Sequence, residues 1–210
     1  MKKERLKIFF QVLFFFKKKV FEIFYKKIKK NIKKQNKINK IIDICFLAWT
    51  QQWDLVKEKL SSPKLSFKEE DDFTLLHWVC WYGNVEILKI LLEMREKINF
   101  NKQDLNGMSP LFIACNFEEI EVLKLLLKER QLKINIQDNE GNTPFHHACR
   151  LGQKNVIGQL LQHGGVAIRK KNREGKTCLD LLPNDNFVVS LVRNYDTGNV
   201  IIPFFFLFFL

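Results

Sequence analysis

Apolar residues in the middle of the chain fall into pairs of short helical patterns separated by polar turns. Four segments align: Thr74-Leu75-Leu76-His77-Trp78-Val79-Cys80, Ser109-Pro110-Leu111-Phe112-Ile113-Ala114-Cys115, Thr143-Pro144-Phe145-His146-His147-Ala148-Cys149 and Thr177-Cys178-Leu179-Asp180-Leu181-Leu182. Their first residues are 35, 34 and 34 apart. Behind the first three lies a second apolar set: Val85, Ile87, Leu88, Leu91 and Leu92; Ile120, Val122, Leu123, Leu126 and Leu127; Val156, Ile157, Leu160 and Leu161. Spacing of three and four residues puts each set on one face of a helix. A fixed period of this length predicts stacked supersecondary units, because one helix pair cannot bury its apolar face alone.

The polar punctuation agrees. Asp104-Leu105-Asn106-Gly107, Asp138-Asn139-Glu140-Gly141 and Asn172-Arg173-Glu174-Gly175 precede the last three segments. Asx-x-x-Gly is turn chemistry, with glycine free to take positive φ. Thr or Ser then caps a helix, and proline at the next position has no N–H to leave unbonded. Gly83 and Gly152 break the chain between the two helices of a unit.

These residues resemble the ankyrin repeat family, whose unit is a β-turn and two antiparallel helices with a T-P-L-H-x-A signature. The best match is Thr143-Pro144-Phe145-His146-His147-Ala148, with Asp138, Gly141, Gly152 and Leu160 to Gly165. The resemblance implies an all-α solenoid of about five helix-turn-helix units with β-turn hairpins over residues 41–194. The units are expected near 41–68, 69–103, 104–137, 138–171 and 172–194. The first is degenerate, with helices over Asp43 to Ala48 and Trp53 to Leu60, and Pro63 ends it. The last closes the stack through Leu179, Leu181, Leu182 and Phe187 to Val192. There are departures. Leu75 stands where proline is usual, and Glu69-Glu70-Asp71-Asp72 where a glycine turn is usual. Glu118 stands in place of the interhelical glycine, which predicts a strained or reshaped turn. The extra residues between Leu92 and Asp104, and between Leu127 and Asp138, are expected in the connecting hairpins.

Charge separates the ends from this middle. The 210 residues carry a formal +12, but residues 1–40 hold 15 Lys/Arg against two acids; the remaining 170 hold 20 basic and 21 acidic residues. A wholly basic, nucleic-acid-like globule is thereby excluded. Residues 1–40 are expected to form a basic helix rich in Lys and Phe. Three readings compete for it: a helix lying on an anionic membrane surface, a signal sequence lacking a small-residue cleavage site, and low-complexity sequence from AT-rich codons, a misplaced gene start or a functionless tail; nucleic-acid binding by this arm stays open beside them. Residues 195–210 form a hydrophobic tail with five Phe in the last seven positions. Neither apolar stretch, Ile8 to Phe16 or Val200 to Leu210, reaches the roughly 20 residues a spanning helix needs. Five widely spaced cysteines with no CxxC pair argue for a reducing, cytoplasmic compartment, with membrane association through residues 1–40 as the alternative.

Chemistry-bearing patterns are sparse. No P-loop, dinucleotide fingerprint, nucleophile elbow, HExxH or kinase signature is present. No catalytic residue, cofactor or metal ligand is therefore expected. His146, His147 and Cys149 look like ligands, yet adjacent helical residues point about 100° apart. His77 and His146 take the place of the family histidine that bonds between neighbouring turns. Cys80, Cys115 and Cys149 share one register and are expected as small buried hydrophobes. The acidic run Glu69 to Asp72 reads as a solvated loop, or as a docking patch for a basic partner.

What remains is surface. In ankyrin proteins partners commonly lie on the concave side, built from hairpin tips and first helices. The corresponding candidates are Trp78, Trp81, Tyr82, Met108, Asn116, Phe117, His147, Arg150 and Leu151, with Asn142, Lys176 and Ile113 nearby. Trp, Tyr, Phe, Met and Arg are the types enriched at interface centres. Trp81, Tyr82 and Phe117 are expected to form an aromatic strip across two units, unless Phe117 turns inward. The expected function is non-enzymatic protein binding by a monomeric scaffold or adaptor that recognises no specific nucleic acid. Two alternatives stay open: the ankyrin portion of a larger enzyme, such as a palmitoyltransferase or an acyl-CoA-binding protein, and an adaptor tethered to a membrane surface.

Overall fold

The structure is a computed structural model in which residues 47–48, 51–61, 73–183 and 186–197 are described. Packing divides the chain into Met1–Asp43 and Ile44–Leu210, and all the described residues belong to the second unit. The expectations for residues 1–40, the acidic run at 69–72, Cys45, Pro63 and the end of the tail lie outside the described residues.

Among the described residues eight helices have both ends defined, in order α1 Trp53–Leu60, α2 Leu75–Tyr82, α3 Val85–Glu93, α4 Pro110–Asn116, α5 Ile120–Leu126, α6 Pro144–Leu151, α7 Lys154–His163 and α8 Asn186–Asp196. Short 3-10 turns occupy Arg95–Lys97 and Cys178–Leu181. No strand occurs among the described residues. The helices pack in two rows. One row runs α2, α4, α6 and the Cys178–Leu181 turn; the other runs α1, α3, α5, α7 and α8. Each first helix also packs on its own second helix. The all-α solenoid that the resemblance implies is what the described residues form.

The predicted apolar sets are the core. Leu76, Leu88, Leu91, Leu111, Leu123, Leu126, Ile157 and Leu160 are all nearly or fully buried. Burying such an aliphatic side chain contributes about 1.5–3 kcal/mol. Cys80, Cys115 and Cys149 are buried in one register as expected, and Cys178 is buried too, its thiol donating to the carbonyl of Ile168 at 2.7 Å. Two residues placed by sequence near the partner side are instead interior. Ile113 is fully buried, because α4 packs between α2 and α6. Asn142 is buried at the hairpin, where its amide bonds Glu140 at 3.1 Å and accepts from Asn172 at 2.9 Å.

The interhelical turns explain the glycine pattern. Gly83 and Gly152 cap α2 and α6 in the left-handed region, at φ +67° and +62°. Glu118 occupies the equivalent place with φ +57°. The turn is kept because its hydrogen bonds are kept: Glu119 N–H donates to Ala114 O at 3.0 Å, as Gln153 N–H does to Ala148 O at 3.0 Å. The backbone strain foreseen for Glu118 is therefore present, and the turn is not reshaped.

The closing unit differs from its predecessors. Its first helix is reduced to the Cys178–Leu181 3-10 turn, ended by Pro183, a residue that disfavours helical backbone in the residue before it. Asp180 stands in the register of His77 and His146 and takes over the cap: its carboxylate accepts from the N–H and hydroxyl of Thr177 at 2.8 and 2.7 Å. Val188 and Val192 of α8 then cover the end of the core, with Leu179, Leu182, Leu191 and Tyr195 packed against it. The side chain of Phe187 lies outside the described residues.

Candidate functional site

Several kinds of bond repeat with the unit and assemble the face carried by the first helices and the hairpins, three of them as follows. At the hairpin tips, Asp104 Oδ1 accepts from Asn106 N–H and Met108 N–H, both at 2.8 Å. Asp138 and Asn172 repeat this at 2.8–3.0 Å. Successive tips are then joined backbone to backbone: Asn139 N–H donates to Asn106 O, and Arg173 N–H to Glu140 O, both at 2.9 Å. A Cβ at Gly107 would lie 2.7 Å from the Asn139 nitrogen, so glycine is required there for the approach as well as for φ +77°.

The second kind uses histidine. The backbone N–H and hydroxyl of Thr74 both point at His77 Nδ1, at 3.0 and 2.9 Å. Nδ1 is therefore an acceptor, and the proton sits on Nε2, which donates to Met108 O of the next unit at 3.2 Å. His146 does the same between Thr143 and Lys170 O, the latter at 2.9 Å. Burial pushes the pKa of His77 down to about 4 and that of His146 down as well. Both are neutral structural donors, as the sequence reading expects.

The third kind was not foreseen. The Asn101 amide donates to Gln131 O at 2.7 Å and accepts from Lys133 N–H at 2.7 Å. Thirty-four residues on, Asn135 donates to Gly165 O at 2.8 Å and accepts from Ala167 N–H at 2.9 Å. Each asparagine staples its unit to the next. Its recurrence at the unit period was the available signal. In the next repeat of that register stands Arg169, which instead grips Asp196 of α8 with Nε and Nη2 at 3.0 and 3.1 Å. A shallow surface depression of about 360 Å³ lies beside this pair, lined by Val166, Ala167, Ile168, Lys170 and Tyr195.

The predicted surface residues divide into two groups. The aromatic group comes together. Trp81 and Phe117 meet across the unit boundary with ring centroids 4.2 Å apart; Trp78 stacks on Tyr82 at 6.1 Å and lies 6.4 Å from Trp81. All four are partly buried. Two rings the sequence reading missed join them. Phe73 meets Trp78 at 4.6 Å and Trp81 at 6.1 Å, and Trp53 of α1 meets Tyr82 edge-on at 5.7 Å. Burial raises the Tyr82 hydroxyl pKa to about 12. Met108 and Asn116 are partly buried neighbours that also serve the scaffold, Met108 O accepting from His77 and Asn116 O from the Gln153 amide at 3.2 Å.

The polar group lies one or two units further along. His147 sits edge-on to Phe112 at 4.5 Å, with Nε2 3.3 Å from Asp138 Oδ2. Burial, then the nearby Arg150 charge, lowers its pKa to about 4. Arg150 and Leu151 are exposed. Leu105, at a hairpin tip, is 78% exposed and was not among the sequence candidates. No group of three or more His, Cys, Asp or Glu able to hold a metal occurs among the described residues. No helix among them is long and apolar enough to cross a membrane.

Units of helix-turn-helix stacked in register and joined by hairpin tips define a helical-repeat scaffold. A family model described as "Ankyrin repeats (3 copies)" matches residues 46–138, and one described as "Ankyrin repeat" matches residues 140–170. Together they cover more than half of the chain, which belongs to the ankyrin repeat family. Repeats of this family are in general protein–protein interaction modules and typically non-catalytic.

Proposed function

We propose that this chain holds another protein against its concave side, on the face built from α2, α4, α6 and the hairpins, with no chemistry of its own. The observation that carries the reading is the 4.2 Å contact of Trp81 with Phe117. It places bulky, partly exposed aromatic surface astride a unit boundary. Because the rings are held by the stack, little ordering is needed on binding, which favours affinity. Free, buried thiols at Cys80, Cys115, Cys149 and Cys178 fit a reducing, cytoplasmic setting.

The test uses the full chain as bait. Replacing Trp81 and Phe117 together by Ala should reduce capture of any specific partner at least tenfold, with helicity by circular dichroism unchanged. Capture that is indifferent to both substitutions removes this face from consideration.

A further inference from the structure

Residues 81, 116 and 150 share one register on α2, α4 and α6, so the row reads Trp81, Asn116, Arg150. The aromatic end is described above. The other end is an arginine with unusual support. Arg150 Nη2 lies 2.9 Å from Nδ1 and 3.0 Å from Nε2 of His147. Near-equal distances to both ring nitrogens place the guanidinium over the imidazole rather than in line with one lone pair. The ring itself is fixed, edge-on to Phe112 and with Nε2 directed to Asp138 Oδ2. The other oxygen of Asp138 is occupied by the Glu140 and Asn142 N–H groups. Arg150 is thus pre-oriented by a neutral ring one turn earlier on α6, itself tied to Asp138 of the hairpin.

Among the described residues no carboxylate lies within ion-pair distance of Arg150. Glu174 is near enough to feel it, but bonds Lys176 at 2.8 Å. An exposed guanidinium held this way offers its remaining N–H donors as a fork for a carboxylate.

We infer that Arg150 anchors an Asp or Glu side chain of an extended partner segment whose bulky apolar residue seats on Trp81 and Phe117. This rests on the reading of the face as the binding surface and adds the partner's chemistry. Neighbouring units stack about 10 Å apart, so Trp81 and Arg150 are separated by about 20 Å. An extended chain rises about 3.3 Å per residue, which sets the two partner residues roughly six apart. A carboxylate is favoured over a phosphate because Glu174 and Asp138 border the arginine and repel a dianion more strongly than a monoanion.

The experiment measures binding of the full chain to synthetic fourteen-residue peptides in a Ser/Gly background. Each carries one Trp and one Glu at separations of two to ten residues. Affinity should peak near a separation of six, and Glu→Gln at that spacing should weaken it about tenfold. Arg150→Glu should abolish the preference for Glu and favour Lys at the same spacing; Arg150→Gln should abolish it without reversal. Circular dichroism confirms that both variants keep the fold. No binding by any peptide, no dependence on spacing, or an Arg150→Glu variant that still prefers Glu overturns the inference. Tighter binding when phosphoserine replaces Glu overturns the carboxylate assignment. A captured partner that needs Trp81 and Phe117 but ignores Arg150→Glu would leave the binding face standing and sink only this inference.

Discussion

Glu118 holds its backbone at φ +57° in the turn where Gly152, one unit on, holds +62°. The two turns share hydrogen bonds, yet only glycine takes this conformation without steric cost; a residue with a Cβ is disfavoured there by roughly 1–2 kcal/mol. Glu118→Gly should therefore stabilise the chain by about 1 kcal/mol, read as a higher urea midpoint with unchanged slope. Gly152→Ala should lose a similar amount, since its Cβ would also stand 3.2 Å from Pro183 Cγ. An unchanged or lower midpoint for Glu118→Gly would show that the side chain's own contacts outweigh the strain.

The asparagine staples yield a second expectation. Asn135→Ala removes two hydrogen bonds, to Gly165 O and from Ala167 N–H. Both backbone groups must then find water, for a net cost of about 1–2 kcal/mol. Hydrogen exchange should speed up at Ala167, with Asn101→Ala doing the same at Lys133. Exchange unchanged at both sites would mean that water replaces the amide without loss.

Acid should loosen the stack through its histidines. His77 titrates near 4 in the fold because burial disfavours its charge, against about 6.5 when unfolded. The neutral form is the folded form, so this contribution is complete above about pH 6.5 and is lost as pH falls toward 4. For His77 alone the loss amounts to roughly 3 kcal/mol. His146 and His147 are shifted in the same direction. His77→Phe, which copies Phe112 in the next unit, should flatten the stability profile between pH 6.5 and 4. A profile as steep as that of the parent would place the acid sensitivity elsewhere.

The thiols of Cys80, Cys115, Cys149 and Cys178 are fully buried. For Cys80 and Cys115, burial comes first in raising the pKa; for Cys149 it is the hydrogen bond with Cys178. A buried thiol with a raised pKa is a poor nucleophile. Site-resolved alkylation of the native chain should leave these four unmodified until denaturant is added. Rapid labelling of any one would mark local opening of its unit.

Much of this molecule is readable in one dimension because a repeat converts tertiary neighbours into residues one period apart. The helix pairs, hairpin glycines and cysteine register follow from aligning four segments, and the family resemblance adds the histidine bonds and the strain at Glu118. Contacts that break the repeat did not follow. Trp53 joins the aromatic cluster from outside the aligned register, Phe73 joins it from the register of Met108 and Asn142, where the aromatic was overlooked, and Asp196 meets Arg169 only because α8 folds back over α7. Asn142 and Ile113 read as surface positions, yet stacking on both sides buries them. The asparagine staples were visible as a spacing but not as a bond.

The order of apolar, turn and capping residues alone determined the unit, its period and the two rows of helices, since local propensity and burial of a shared face leave few other ways to fold it. Which side chains reach across a unit boundary was decided by the stacking distance and the rotamers packing allows. That is why Trp81 touching Phe117, and Arg150 lying over His147, emerge only in three dimensions.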